Sequence, residues 1–500
     1  MMPDRESCYR ALTAHDVRFD GVFFVGVTST RIYCRPVCRA RTPRRDRCRF
    51  FANAAAAERV GFRPCLRCRP ELAPGHAIVD SSVRLANEAV RRIAAGALND
   101  GRIDDLAREL GVGERQLRRV VEREVGASPV ELAQTCRLLL AKRLLSDTAL
   151  PVTQVAYTSG FRSVRRFNAL FLARYRLSPS ALRRAVTPAA ATTPGPRDAL
   201  DANGGEETIA LTLAYRPPLA WTALLGFLAA RATPGVEHVE HDCYSRTVRI
   251  DGHTGWVSVR PTASRDNRPD SLRVELTVSL LPVLMPLLAR LRALFDLDAS
   301  PRDIEDHLAR GGLHDHVRRM PGLRLPGAVD GFELAWRALL GQQVTVRGAT
   351  TLSGRLVAAF GDPIETVVPS LTRLSPSADS IADAPVSALA AIGLPRARAE
   401  ALRGLARLVA DGMIRLEPGS DGDQFAGRLT DLPGVGDWTA QYIAMRALRW
   451  PDAFPAGDLA LRRAAGGLTP ARLRDAAERW RPWRAYAAMH LWSESASARI

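Results

Sequence analysis

The sequence predicts a multidomain α+β chain, and three observations predict it. Four cysteines fall in two close pairs near the start, in the order 34, 38, 65 and 68. Apolar residues then recur at helical spacing to about residue 187, broken by glycines. Short alternating stretches between 206 and 284 give way after Pro286 to helical periodicity. A chain of 500 residues holds three or four domains, each able to bury its own core. The expected division is a small four-cysteine domain (1–75), an all-α domain with two helix-turn-helix units (80–187) and a linker (188–205). A small antiparallel β domain with one helix (206–290) and an all-α domain built on a glycine hairpin (291–500) complete it.

The net charge of +17 is unevenly spread. Residues 1–187 carry 34 Arg and Lys against 18 Asp and Glu, whereas the remaining 313 carry 36 against 35. The excess belongs to the first third, which points to a polyanionic partner there. An arginine-rich genome would have left the rest basic too. The start, MMPDRESCYRALTAHD, lacks the apolar centre of a signal peptide, and no run of about 18 apolar residues occurs. A cytoplasmic protein with no membrane span and reduced cysteines is expected.

The four cysteines read Cys34-x3-Cys38 and Cys65-x2-Cys68, with 26 residues between the pairs. Such pairs across a loop are a structural zinc pattern; unrelated buried thiols are the plain alternative. Around them, YCRPVCRAR and GFRPCLRCRP resemble the N-terminal domain of Ada-type adaptive-response proteins. The resemblance implies one Zn2+ held by Cys34, Cys38, Cys65 and Cys68, with Cys34 accepting a methyl group from a DNA phosphotriester. It sets Thr30 and Arg41 nearest the backbone phosphate. The chemistry is reasonable, because zinc lets the nucleophilic thiolate exist at neutral pH. Methylation would remove one negative charge from a surface that faces phosphates. Cys8, Cys48, Cys136 and Cys243 receive no role.

Ile103, Leu106, Ala107 and Leu110 form an apolar stripe that Gly111 interrupts and Glu114 resumes. Val152, Val155 and Ala156 repeat the pattern through Gly160-Phe161 to a helix starting near Ser163. The two glycines are 49 residues apart, joined by a predicted helix from about Pro129 to Ser146. This layout resembles the AraC-type DNA-binding domain, most specifically in GFRSVRRFNALFLARYRLSPSAL. The recognition helices would carry Arg115, Arg118 and Arg119 in one unit and Arg162, Arg165 and Arg166 in the other, entering consecutive major grooves. Residues 186–205, rich in Pro, Ala, Thr and Gly without periodicity, read as a flexible linker.

Beyond the linker, TIALTLAY, RTVRIDG, GWVSVRP and SLRVELTVS alternate as strands, with one helix around Ala220–Ala232. The most informative stretch is LPGVGDWTAQYIAMRALRWPDAFPAGD, from Leu432 to Asp458. Gly434 and Gly436 make a tight turn, and from Asp437 a helix is predicted with Trp438, Tyr442, Met445 and Leu448 on one side. Backbone N–H groups at its start suit a phosphate. This stretch resembles the helix-hairpin-helix DNA glycosylases, most closely the AlkA-type 3-methyladenine DNA glycosylases, over nearly all of 206–495. The resemblance implies that Asp458 is catalytic, that Gly434 and Gly436 approach DNA, and that Trp438, Tyr442 and Trp492 line a pocket for a flipped base. GFELAWRALLGQQVTVRGA resembles the family's wedge loop, with Gln343 at the wedge position where the best-known member has leucine, and Gln342 beside it. A monovalent cation at the hairpin is a further expectation.

Double-stranded DNA is thus the expected partner, with RNA polymerase a further one for an activator, and a monomer is expected. The leading reading is a methyl-sensing activator fused to a glycosylase that removes alkylated bases. The alternative is a methylation-sensing regulator whose glycosylase half has lost activity. The Pro-Cys-His-Arg site of the other Ada methyltransferase half is missing, so O6-methylguanine repair is not expected.

Overall fold

The structure is a computed structural model and describes residues 2–73, 84–190, 207–262, 270–418 and 422–497. Among them no helix is long and apolar enough to cross a membrane. Two compact units emerge, residues 1–216 with 262–289, and residues 217–261 with 290–500. Most of the predicted linker lies outside the described residues; 188–190 end a helix instead.

The first unit opens with α1 (Arg5–Thr13), started by Asp4, whose carboxylate accepts the N–H groups of Glu6 and Ser7. Four short strands follow: β1 (Phe24–Val27), β2 (Ile32–Cys34), β3 (Cys48–Phe51) and β4 (Arg63–Pro64), ordered β3-β1-β2-β4. Helix α2 (Ala54–Arg59) lies between the last two strands in sequence. The sheet is thin, so its core is aromatic on one side and sulfur-rich on the other. Phe24, Tyr33, Phe51 and Phe62 cluster with Ala57, while Cys34, Cys38, Cys48 and Cys65 cluster with Leu12 and Val25.

Helices α3 (Arg84–Ala94), α4 (Ile103–Glu109), α5 (Glu114–Val125), α6 (Pro129–Asp147), α7 (Val152–Thr158), α8 (Val164–Tyr175) and α9 (Pro179–Ala190) follow. The α4–α5 and α7–α8 pairs are the two predicted helix-turn-helix units. Ser128 and Glu131 close a capping box at the start of α6, where Pro129 costs no hydrogen bond. The turn after α7 requires glycine. Gly160 has φ +82, and a Cβ there would lie 2.4 Å from the Asn99 side chain.

The strands of the later region are β5 (Thr208–Ala214), β6 (Glu237–Glu240), β7 (Cys243–Ile250), β8 (His253–Pro261) and β9 (Ser271–Thr277). In the first unit β5 pairs antiparallel with β9, Leu211 opposite Val274. In the second, β6, β7 and β8 form an antiparallel meander preceded by α10 (Trp221–Ala229). The expected antiparallel strands and helix are present, divided between the units.

The second unit then becomes helical. The helices that build its site are α11 (Gly331–Leu340), α12 (Val346–Phe360), α13 (Gly422–Thr430), α14 (Asp437–Arg446), α15 (Leu459–Ala464) and α16 (Arg484–Ser497). Their apolar faces meet in one core around Trp336, Leu402, Ile443 and Ala487, each 0 % exposed. Helix α14 ends at Arg446, so Leu448, expected on its apolar side, is buried from the loop beyond.

Candidate functional site

In the second unit the site gathers at the starts of α14 and α15 and midway along α16. The hairpin between α13 and α14 turns on Gly434, whose φ of +86 suits glycine; a Cβ there would approach Ala401 to 2.9 Å. Gly436, by contrast, has ordinary extended backbone and is the N-cap of α14. No side chain caps that helix start, which leaves first-turn N–H groups for an outside acceptor.

Asp458 ends the irregular segment after α14 and is the N-cap of α15. Its Oδ1 accepts the backbone N–H groups of Ala460 and Leu461, both at 2.9 Å. Two indoles complete its surroundings. Trp438 Nε1 donates to Oδ2 and Trp492 Nε1 to Oδ1, each at 3.0 Å. Four donors thus converge on one half-buried carboxylate, which fixes its plane.

The rings form a continuous wall beside it. Trp438 and Tyr442, one helical turn apart, stack with centroids 5.3 Å apart and planes 9° apart. Trp492 meets Tyr442 edge-on at 6.3 Å. Sequence reasoning missed Arg446, which its i+4 spacing from Tyr442 could have revealed. The Arg446 guanidinium is buried, donates to the Tyr442 hydroxyl at 2.7 Å, and lies 4.9 Å from the Phe227 ring centroid. Burial pushes the Tyr442 hydroxyl up, but the nearby charges of Arg446, Arg231 and Arg337 outweigh it and hold the group below its ordinary value. Behind this lies a buried ion-pair layer: Arg337 with Glu237 at 2.6 Å and Arg246 with Glu333 at 2.6 Å.

The loop between α11 and α12 reaches the hairpin. Gln342 Nε2 donates to Gly434 O and to Thr439 Oγ1, both at 2.9 Å, so this amide ties the two loops together. Gln343 is exposed with φ +57, and Leu459, next to Asp458, is 55 % exposed. Trp480 is core, donating to Gly311 O at 3.0 Å, and Trp483 packs against that core.

In the first unit β2 delivers Cys34, the turn after it Cys38, and the segment after β4 delivers Cys65 and Cys68. All four Sγ atoms lie within 4.8 Å of one another. Tetrahedral zinc–sulfur bonds of about 2.3 Å set sulfurs ~3.8 Å apart, so this donor set fits zinc. Arg35 supports it, donating its backbone N–H to Cys68 Sγ at 3.4 Å and its guanidinium to Cys68 O at 3.1 Å, while Asp20 pairs with that guanidinium. Thr30, Arg39 and Arg41 are exposed. Burial pushes the Cys8 thiol up to about 11 and Cys136 up to about 12, so both stay protonated.

On the helix-turn-helix units, Arg115, Arg119, Arg162, Arg165 and Arg166 are exposed. Arg118 is half-buried and pairs with Glu114 at 2.7 Å within α5.

Comparison with known proteins agrees with this architecture part by part. Residues 7–71 match the metal binding domain of Ada, and 106–185 a helix-turn-helix domain. Residues 210–330 match the AlkA N-terminal domain, and 336–479 the HhH-GPD superfamily of base excision DNA repair proteins. A "probable bifunctional transcriptional activator/DNA repair enzyme AlkA" of Mycobacterium tuberculosis is 41 % identical over 498 residues, spanning 99 % of this chain and 97 % of that protein. The chain belongs to this AlkA family of fused activators and repair enzymes. The DNA-3-methyladenine glycosylase 2 of Escherichia coli is 38 % identical over 56 % of this chain and 96 % of its own. The Ada protein of the same organism is 48 % identical over 65 residues, 13 % of this chain and 18 % of its own. The four-cysteine cluster of this AlkA family member is accordingly a zinc site.

Proposed function

We propose that the chain repairs alkylated DNA with its second unit and senses alkylation with its first. The second unit hydrolyses the N-glycosidic bond of alkylated purines of the 3-methyladenine type. The hairpin N–H groups hold a phosphate, the damaged base turns out of the duplex, and Trp438, Tyr442 and Trp492 receive it. An alkylated purine is cationic, so electron-rich rings attract it. As the bond breaks its electron pair moves to the base, and positive charge develops on the sugar. Asp458 stabilises that charge, and water adds at the sugar carbon with loss of a proton. The observation that carries this reading is the Asp458 carboxylate, held by two indole N–H groups beside the aromatic wall.

The first unit accepts one methyl group. The Cys34 thiolate attacks the methyl carbon of a phosphotriester, a sulfur–carbon bond forms, the carbon–oxygen bond breaks, and a phosphodiester anion leaves. Bound zinc keeps the thiolates deprotonated at neutral pH. The cluster then carries one negative charge fewer, DNA binding tightens, and the helix-turn-helix units, through their exposed arginines, engage a promoter and recruit RNA polymerase. Excision assays on duplexes with a single defined alkylated purine, run on the intact chain, test the enzymatic half. Release of the free base with an intact abasic site is expected, and no release would refute it.

A further inference from the structure

We propose that Glu58 is a positioning residue that couples the zinc site to the second recognition helix. One buried carboxylate ties the strand that carries Cys34 to the helix that carries Arg165 and Arg166. The inference rests on the reading of residues 1–187 as a zinc-based methyl acceptor joined to a DNA-binding unit.

Tyr33 immediately precedes Cys34 on β2. Its ring is fully buried, and its hydroxyl donates to Glu58 Oε1 at 2.9 Å. Glu58 Oε2 accepts from Thr135 Oγ1 of α6 at 2.9 Å and pairs with Arg174 Nη1 of α8 at 3.1 Å. The side chain of Glu58 is 0 % exposed. Its three partners therefore come from the metal strand, the helix joining the two DNA-binding units, and the second recognition helix.

The other half of the metal site has a link of its own. Arg69 follows Cys68 and pairs with Glu71 at 3.0 Å and with Asp147, the last residue of α6, at 2.8 Å. Lys142 of α6 completes the link, 2.5 Å from Glu71, both side chains 2 % exposed. Thus one residue before Cys34 the chain reaches α6 and α8 through the buried Glu58, and one residue after Cys68 it reaches α6 through Arg69, which is 28 % exposed, and the buried Glu71.

Burial makes these links switch-like. Glu58 and Glu71, carboxylates without access to water, cannot lose a partner and be compensated by solvent, so loss of one contact weighs on the others at the same carboxylate. Contact with the first helix-turn-helix unit is of another kind. There Ala55 packs into the apolar cluster of α3 to α5, and the Asn53 amide donates to Val125 O at 2.6 Å. The charged coupling runs to α6 and α8. A shift of β2 when Cys34 changes from thiolate to thioether would move Tyr33, then Glu58, then Arg174 at the last turn of α8. The metal state would reach the second DNA-reading surface by packing as well as by charge.

Coupling between two places is reciprocal, which gives the test two directions. The full-length, zinc-loaded chain is followed by hydrogen exchange, before and after zinc is stripped with a chelator, in wild type and Tyr33→Phe. That variant loses only the hydroxyl that reaches Glu58. In the zinc-loaded variant, α8 amides should exchange at least about threefold faster than in wild type, as local opening becomes easier. In the other direction, Arg174→Gln touches no cysteine, yet zinc should pass to a chelator at least about threefold faster. Exchange in α8 identical to wild type in zinc-loaded Tyr33→Phe, or zinc release unchanged in Arg174→Gln, would overturn the coupling. Both effects in the two variants, together with a wild-type chain that takes no methyl group on Cys34, would remove the methyl-acceptor reading and leave the coupling standing.

Discussion

Trp438 donates its indole N–H to Oδ2 of Asp458 across 3.0 Å, and Trp492 reaches Oδ1 at the same distance. A stacking wall alone would need neither donor. The two rings orient the carboxylate as well as forming part of the aromatic wall. Trp438→Phe keeps an aromatic face and removes one donor. A hydrogen bond to a charged group is worth about 1.5–3 kcal/mol, so single-turnover excision should fall roughly 10- to 100-fold with DNA affinity little changed. A neutral tetrahydrofuran abasic analogue should bind as before and a cationic pyrrolidine analogue less tightly. Equal affinity losses for both analogues would reduce Trp438 to a packing role.

The zinc site should hold one metal per chain, because four sulfurs within 4.8 Å form a closed shell. Cys38→Ala should unfold the first domain, since structural zinc contributes folding energy directly. Peptide mapping after exposure to DNA methyl phosphotriesters should find one methyl group, on Cys34, with tighter and strongly salt-dependent duplex binding. Protein purified without zinc, or a methyl group on another cysteine, contradicts the assignment.

No lysine is available for lyase chemistry. A Schiff base with the sugar needs an amine that can deprotonate, which arginine cannot supply. The chain has a single lysine, Lys142, and it is 2 % exposed in a pair with Glu71 in the first unit. Borohydride should trap no adduct through residues 206–500. A trapped adduct on that segment with its new N-terminus blocked would overturn this.

Acid should weaken the second unit through His490. Burial first, and the charge of His316 second, push its imidazole down from 6.5 to about 4. The unfolded chain therefore takes the proton before the folded one. Stability from this group is complete above pH about 6.5 and is lost as the pH falls toward about 4, worth about 3 kcal/mol at most. His490→Leu should flatten the fall in melting temperature over that window. An unchanged pH slope would show that other groups cause it.

Much of this was legible in the sequence where a local pattern forces one conformation. The spacing of Cys34, Cys38, Cys65 and Cys68 anticipates their cluster, and Gly111, Gly160 and Gly434 mark turns that take positive φ. What escaped depends on distant partners. Glu58 sits in the run AAAAER, where nothing local marks it, yet its partners lie 25, 77 and 116 residues away. Gln342 reads as a neighbour of the wedge position, and its contact with the hairpin 92 residues on is invisible to local pattern. Leu448 extends the helical period of α14 although the backbone has already left the helix. Local propensity is blind to such contacts.

In the proposed reaction Asp458 carries the excision chemistry. Asp458→Asn keeps the shape but removes the charge that opposes the positive sugar. On a duplex with one 3-methyladenine, the variant should bind the DNA nearly as wild type does and release essentially no base. Near-normal release by the Asn variant would contradict the account at its root.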